Sequence, residues 1–318
     1  MAKFKSGKSG FSLIETSIVI LVIGLIVAGA LSASRVVNYM LLNTARDLTE
    51  NSALNYMRRD VIVWFDTTSE KSFVDSEVQD KSPITNWYET MPVKTIPATA
   101  TQNTNSQKPL YFANALNGLP GLKFDGVDDL MSITSSDYIN SSTPAFYNNF
   151  SVFLVAQSLA SITINPESNF SATGQSSQRY ALFPASGDSI YPSMPGAAAG
   201  AGISFGLNGI GIYENASGYT PPILSSSVGY SGISAVLMEY KDKNPKLYVN
   251  NKFVRSGLTS LKNYVFPPFY IGGGPSPWNG YGNFSGYIGE IIIIDRALTA
   301  EERADIFAYL KKKWKLNY

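Results

Sequence analysis

The sequence predicts an α+β protein: a long amino-terminal α-helix followed by an all-β sandwich that ends in a short helix. Three observations carry this expectation. The stretch from Ile18 to Leu31 has no polar side chain and opens a helical pattern that meets no proline before Pro83. At Asp60 the composition shifts to short β-like runs separated by Gly, Asn, Asp and Pro. Near the carboxyl end, Thr299 and Glu302 form a capping box ahead of a helically spaced apolar face.

Bulk composition narrows the function classes. The chain has 318 residues and a formal charge of +1, which gives no reason to expect a nucleic-acid partner, since that would favour a strongly basic face. It contains neither Cys nor His. Disulfides, thiolate nucleophiles, Cys/His zinc sites and His-based triads are therefore excluded, and a metal would need oxygen ligands. With 15% charged and 13% aromatic residues, the composition fits a turn-rich β body.

The amino terminus carries Lys3, Lys5 and Lys8 ahead of the apolar run. A secretory signal peptide and a membrane anchor of about 20 residues both begin this way. Basic residues ahead of an anchor favour a cytoplasmic amino end. Glu15 fits neither, because a carboxylate in a membrane segment is costly and usually paired. It is either a functional group or a side chain that snorkels to the membrane edge. Beyond Arg35, Val37, Leu41, Ala45 and Leu48 share one face, and Arg46 and Glu50 are spaced for an i,i+4 pair. One helix is expected from Phe11 to about Arg59, with its transmembrane half at about 11–33. Gly24 and Gly29 either weaken it locally or let a neighbouring helix pack closely.

Gly10-Phe11, followed by Ser-Leu-Ile-Glu, resembles the class III signal of type IV pilins and pseudopilins. The match covers about the first 30 residues. The resemblance implies that residues 1–10 are a leader cut by a prepilin peptidase between Gly10 and Phe11. Phe11 is then N-methylated, and Glu15 becomes the assembly carboxylate, paired with the ammonium of a neighbouring subunit. A buried charge left without its partner is strongly destabilising, so such a pair fixes register. The resemblance also implies an inner-membrane precursor, pilus assembly machinery, and a product that is an extracellular pilus or a periplasmic pseudopilus.

The body, residues 60–318, reads as strands. Asp125-Gly126 and Asn250-Asn251 are hairpin-type turns, and the unbroken Ile291–Ile294 run reads as a strand buried on both faces. In the last helix Ile306, Phe307, Leu310 and Trp314 form the apolar face, and Lys311–Lys313 suit its carboxyl end. "VIVWFDTTSEKSF", "DKS", "FANALNGLPGLKFDGVDDLM", "LYVNNK", "YIGG" and "GYIGEIIIIDRALTAEERADIFAYLKKKW" occur in the order of the concanavalin A-like lectin/glucanase superfamily, in its LamG-like branch, and the body resembles it over about residues 61–316. The resemblance implies a jelly-roll sandwich. Pro83 and Asn251 depart from the family pattern at two turns.

Glucanases of that superfamily carry clustered carboxylates on one strand, and no such strand is legible, so no enzyme activity is expected. Trp278, Asn279, Tyr281 and Asn283, with Phe284, could hold a sugar or could cover the core edge. Trp87 and Tyr88 are a weaker version of the same pattern. Asp125, Asp128 and Asp129 are ligands of the type Ca²⁺ takes, and equally of the type that caps turn amides. No other cofactor is expected. The combined expectation is a minor or tip pilin displaying a sandwich for adhesion to a glycan or protein. The alternatives are a type II secretion pseudopilin and a major structural pilin.

Overall fold

The computed structural model describes residues 13–90, 97–134, 147–170, 177–276 and 282–318. The chain divides into two units, Met1–Asn43 and Thr44–Tyr318. Helix α1, Leu13–Glu50, crosses that division. Among the described residues seventeen strands follow. The first nine are β1 Val61–Asp66, β2 Asn86–Tyr88, β3 Thr99–Thr101, β4 Leu110–Leu116, β5 Leu119–Asp125, β6 Met131–Thr134, β7 Phe150–Ser158, β8 Tyr180–Phe183 and, after the short helix α2 Gly187–Ile190, β9 Ala198–Gly206. Then come β10 Gly209–Asn215, β11 Pro222–Ser226, β12 Ser234–Lys241, β13 Asn244–Val249, β14 Lys252–Ser256, β15 Tyr264–Phe266, β16 Tyr270–Ile271 and β17 Ser285–Ile294, before the last helix, α3 Ala300–Trp314.

The strands form two sheets. The first runs β14-β13-β12-β7-β17-β5-β4, with β1 pairing β17 beyond the end of β5. The second runs β11-β10-β9-β8-β16-β6-β3-β2. Pairing is antiparallel except where β15 joins β9. Phe65, Leu154, Val236 and Ile291 of the first sheet share one buried core with Ala100, Ile133, Ile203 and Ile212 of the second. The two sheets are therefore the layers of a sandwich. The molecule is mostly β, which corrects the α+β expectation.

The membrane expectation is corrected as well. Among the described residues, no helix is long and apolar enough to cross a membrane. The physical reason is visible in the sequence: the run free of polar groups, Ile18–Leu31, is about 14 residues, against about 20 for a hydrocarbon core. Polar residues Ser32, Ser34, Arg35 and Asn38 follow it. The transmembrane half at about 11–33 and the inner-membrane precursor are withdrawn on this finding. In the first unit, Leu13, Ile14, Ile18–Ile23 and Leu25–Val27 are exposed.

α1 stops at Glu50, short of Arg59. Asn55 Nδ2 donates to the Thr49 and Glu50 carbonyls at 3.0 and 2.7 Å, filling acceptors that a continuing helix would have used. A short 3₁₀ turn, Ala53–Tyr56, leads into β1. Arg46, spaced for a pair with Glu50, meets partners outside the helix. Its Nη1 meets Glu70 at 2.6 Å and its Nε donates to the Thr68 carbonyl at 2.9 Å, because a nearby loop offers it an acid and a carbonyl together.

α3 covers the outer face of the first sheet. Period-two alternation sends Ile291 and Ile293 into the shared core and leaves Glu290, Ile292 and Ile294 on the other face. There Ile306, Phe307, Leu310 and Trp314 pack, with Phe307 edge-on to Phe153 at 5.2 Å. This is why Ile291–Ile294 is buried on both faces. Thr299 and Glu302 form the reciprocal capping box, and Lys315 closes the helix in the left-handed region. Asn250 and Asn251, at φ 52° and 60°, make the β13–β14 hairpin turn.

Candidate functional site

β3 and β6 are neighbours, with Thr101 opposite Ser132 and Thr99 opposite Thr134. Alternation points Ala100, Met131 and Ile133 into the core, so Thr101, Ser132 and Thr134 face outward. Beside these hydroxyls the loop after β3 folds through a single 3₁₀ turn, Asn105–Gln107, and brings Gln102, Asn103 and Gln107 to the same place. Pro275 and Ser276 form the opposite wall, and the depression encloses about 560 Å³. Gln102 is held in place: its Nε2 donates to the Leu130 carbonyl at 3.1 Å and its Oε1 accepts from the Thr104 amide at 2.8 Å. None of the described residues lining the groove is charged. It offers hydroxyls, amides and the apolar surfaces of Leu130 and Pro275, a donor and acceptor set suited to a neutral polyol. Sequence reasoning missed this groove. The Thr-Ala-Thr and Met-Ser-Ile-Thr runs do show alternation, but only strand pairing joins them.

Of the binding residues expected from sequence, Trp278, Asn279 and Tyr281 lie outside the described residues. Asn283 is buried, and its Nδ2 donates to the Val127 carbonyl at 2.5 Å. Its Nδ2 braces the loop after β5. Its Oδ1 has no hydrogen-bond partner among the described residues. Phe284 is a core residue against Phe124. Trp87 is wholly buried, stacked on Phe73 at 6.1 Å and tilted against Phe65 at 5.2 Å, which removes it from any surface. Gly10 and Phe11 lie outside the described residues, as does the side chain of Glu15.

The structure does bring Asp125, Asp128 and Asp129 together, with their nearest carboxylate oxygens within 4.8 Å of one another. They also build the turn. Asp125 Oδ1 accepts from the Val127 and Asp128 amides at 2.8 and 3.3 Å, and Asp129 Oδ2 accepts from the Asp125 amide at 2.9 Å. Gly126 takes φ +82°, where a Cβ would sit 2.8 Å from that of Ser285. Burial, with Asp125 alongside, pushes the Asp129 carboxyl up to about 7. These oxygens are the ones a hard cation would use, and two of them already serve the backbone.

A second polar centre lies beneath α3. Asp66 ends β1 directly opposite Glu290 of β17, and both are fully buried. Lys313, also fully buried, lies 2.6 Å from Asp66 Oδ2 and 3.0 Å from Glu290 Oε2. Every carboxylate oxygen is taken. Glu290 Oε1 accepts from Trp64 Nε1 at 2.7 Å and the Tyr309 hydroxyl at 2.6 Å, and Oε2 also accepts from Trp314 Nε1 at 2.7 Å. Asp66 Oδ1 accepts from the Thr68 amide and hydroxyl at 2.9 and 2.8 Å. Thr49 of α1 donates to Asp66 Oδ2 at 3.1 Å. Burial raises the Glu290 carboxyl, opposed by the Lys313 ammonium. Gly289 makes room for the arrangement, since a Cβ there would stand 2.5 Å from the Trp314 ring.

No protein-family model matches the chain, and no curated protein matches it. Several solved structures are similar. Trypanosoma rangeli sialidase in complex with sialic acid matches 80% of this chain at 14% identity and a TM-score of 0.44. A botulinum neurotoxin type C structure, from work on cell entry dependent upon interaction with two ganglioside molecules, matches 81% at 13% identity and a TM-score of 0.45, over 53% of its own length. Domain 4 of AbnA, a GH43 extracellular arabinanase from Geobacillus stearothermophilus in complex with arabinotriose, matches 78% at 13% identity and a TM-score of 0.36, over 98% of its own length. The chain spans 33% of the sialidase's length. At 13–14% identity and TM-scores below 0.5, the likeness assigns this chain neither a family nor a role.

Proposed function

We propose that the sandwich is a carbohydrate-binding module whose ligand, a neutral glycan, lies in the groove between β3, β6 and Ser276. The observation that carries this reading is the lining: hydroxyls and amides held in place by the backbone, apolar patches from Leu130 and Pro275, and no charged group among the described residues. Sugars present this alternation of hydroxyls and apolar C–H faces. The role is binding without hydrolysis, since retaining cleavage uses two carboxyl groups about 5–5.5 Å apart across the bond and the described lining supplies none. Glycan-array screening of the full chain, followed by calorimetry with the best neutral oligosaccharide, tests the proposal. The expected result is binding that Ser132→Trp abolishes. Binding only to charged glycans, or binding indifferent to that substitution, would sink it.

A separate observation favours an assembly role for α1. Ile18–Ile23 are six successive exposed apolar residues, which at 100° per residue cover every side of the helix. Apolar surface of this extent ordinarily has a partner. The partner proposed is further copies of this chain, packed helix against helix in a polymer. The resemblance to type IV pilins supports the details: cleavage after Gly10, N-methylation of Phe11, and Glu15 as the register key. The sandwich is then what the polymer displays. Mass spectrometry of the mature amino terminus tests the processing step. A chain that retains Met1 through Gly10 in isolated filaments contradicts it.

A further inference from the structure

Lys313, Asp66 and Glu290 form a sealed centre with two carboxyl groups and one amine. As an ion cluster it is unbalanced, because one ammonium faces two acids that stand directly opposite each other. Burying ions costs several kcal/mol each, even when they are paired. Aromatic groups close the site: Trp64 lies edge-on to Tyr309 at 6.2 Å, and the Lys313 ammonium sits 5.4 and 5.2 Å from the Tyr309 and Trp314 ring centroids. The reacting groups are thus held together with water excluded, the arrangement in which effective molarities of about 10⁵–10⁸ M are reached.

We propose that Lys313 and Asp66 join in an intramolecular amide bond, with Glu290 as the proton carrier. The reaction balances within the site. Lys313 Nζ gives a proton to Glu290 and attacks Cγ of Asp66, forming the C–N bond. The bond from Cγ to Oδ2 then breaks, and that oxygen leaves as water, taking the proton held by Glu290 and one more from Nζ. The sum is an ammonium and a carboxylate converted to a neutral amide and one water. Glu290 ends as it began, and no oxidant or co-reactant is needed.

The hydrogen bonds select Asp66, not Glu290, as the acyl partner. Loss of either Glu290 oxygen would orphan an indole N–H, from Trp64 or Trp314. Loss of Asp66 Oδ2 releases only the Thr49 hydroxyl, which has the Ala45 carbonyl at 3.1 Å and the Tyr309 hydroxyl at 3.2 Å as other partners. Asp66 Oδ1 remains as the amide oxygen, still holding Thr68. The new amide N–H has Glu290 Oε2 beside it. The product therefore leaves no buried donor or acceptor unmet, while removing two buried charges. It ties β1, the strand that follows α1 in the chain, to the last helix, and closes nearly the whole sandwich into one covalent loop. This inference does not depend on glycan binding or on assembly.

Tandem mass spectrometry of a protease digest of the folded full chain decides the matter. The expected product is a branched peptide joining the Asp66 and Lys313 segments, lighter than the sum of the two by the mass of one water. Branching is the required signature, because a dehydrated aspartate elsewhere loses the same mass within a linear peptide. Asp66 and Lys313 found in separate, full-mass linear peptides overturn the proposal, and that outcome needs no variant. Glu290→Gln, which keeps the shape of the side chain, is expected to give the linear peptides. A branched peptide undiminished in Glu290→Gln overturns the role of Glu290. The reaction needs no other enzyme, so the bond is expected in protein from any expression host.

Discussion

Asp66 and Glu290 stand directly opposite each other across the β1–β17 ladder, and Lys313 reaches from α3 to within 2.6 and 3.0 Å of them. Like charges facing across an antiparallel pair are destabilising unless something compensates them. Here the compensation comes from a helix more than twenty residues further along the chain. The centre joins the end of α1, the first strand, the last strand and the last helix through Thr49, Asp66, Glu290 and Lys313.

Removing the cation should expose the cost. Lys313→Met, which leaves two buried acids without their cation and cannot form the proposed bond, is expected to destabilise the second unit by at least about 3–5 kcal/mol, the range for a buried pair that loses one partner. Urea unfolding followed by tryptophan fluorescence measures it. A loss below about 1 kcal/mol, as for a surface pair, would contradict the geometry.

Stability should fall as pH rises from about 4 to about 7. Glu214 is buried among Tyr219, Tyr240 and Ser260, which donate to it at 3.0, 3.0 and 2.6 Å, and burial pushes its carboxyl up to about 7. Asp129 is raised to about 7 for the same first reason. A carboxyl raised in the folded state binds its proton more tightly there than when unfolded. Its contribution is complete below the unfolded value near 4 and is lost as pH passes the folded value. Melting temperature against pH in both Asp129→Asn and Glu214→Gln should show a flatter profile over this window than the parent. An unchanged slope in both would refute the assignment.

The groove predicts a loss of binding without a loss of fold. Ser132 faces outward, so Ser132→Trp should fill the groove and weaken neutral-glycan binding by more than about tenfold, or 1.4 kcal/mol. The melting temperature should stay near that of the parent. Asn283→Ala should behave in the opposite way, lowering stability because the Val127 carbonyl loses its donor.

Thr299→Ala should cost about 1 kcal/mol, the usual loss of a side-chain N-cap, read from the shift in the urea midpoint. Glu302 also grips Arg296 at 2.8 Å, and that guanidinium holds its carboxyl down at about 2. Its contribution should be complete above about pH 4.5, shrink as pH falls below that, and be nearly gone at about pH 2.

Glu15→Ala should leave cleavage after Gly10 intact while reducing filament yield in sheared preparations. Equal yield of filaments from the variant would remove Glu15 from the assembly role.

Local signals were read well where local physics decides. The Thr299–Glu302 box, the Asn250-Asn251 turn and the Ile306, Phe307, Leu310 and Trp314 face each depend on residues within a few positions of one another. Other expectations depended on partners that the sequence does not name. Trp87 resembled a binding aromatic but lies under Phe65 and Phe73. Arg46 meets Glu70, an acid that its own helix spacing does not point to. The long middle from Ile162 to Ser227 showed no family pattern, yet it supplies β8 to β11, four of the nine strands described in the second sheet.

The sequence by itself determined the strand-rich body, its turns, its last helix and the absence of thiol or imidazole chemistry, because each follows from composition or short-range periodicity. Only the tertiary structure decided that Lys313, one of three successive lysines, is buried between two carboxyl groups and is not a solvated end of a helix. It also decided that Thr101 and Ser132 share a groove. Both facts rest on contacts between segments far apart in the chain. A residue's own periodicity fixes which face it occupies, and only packing fixes what meets that face.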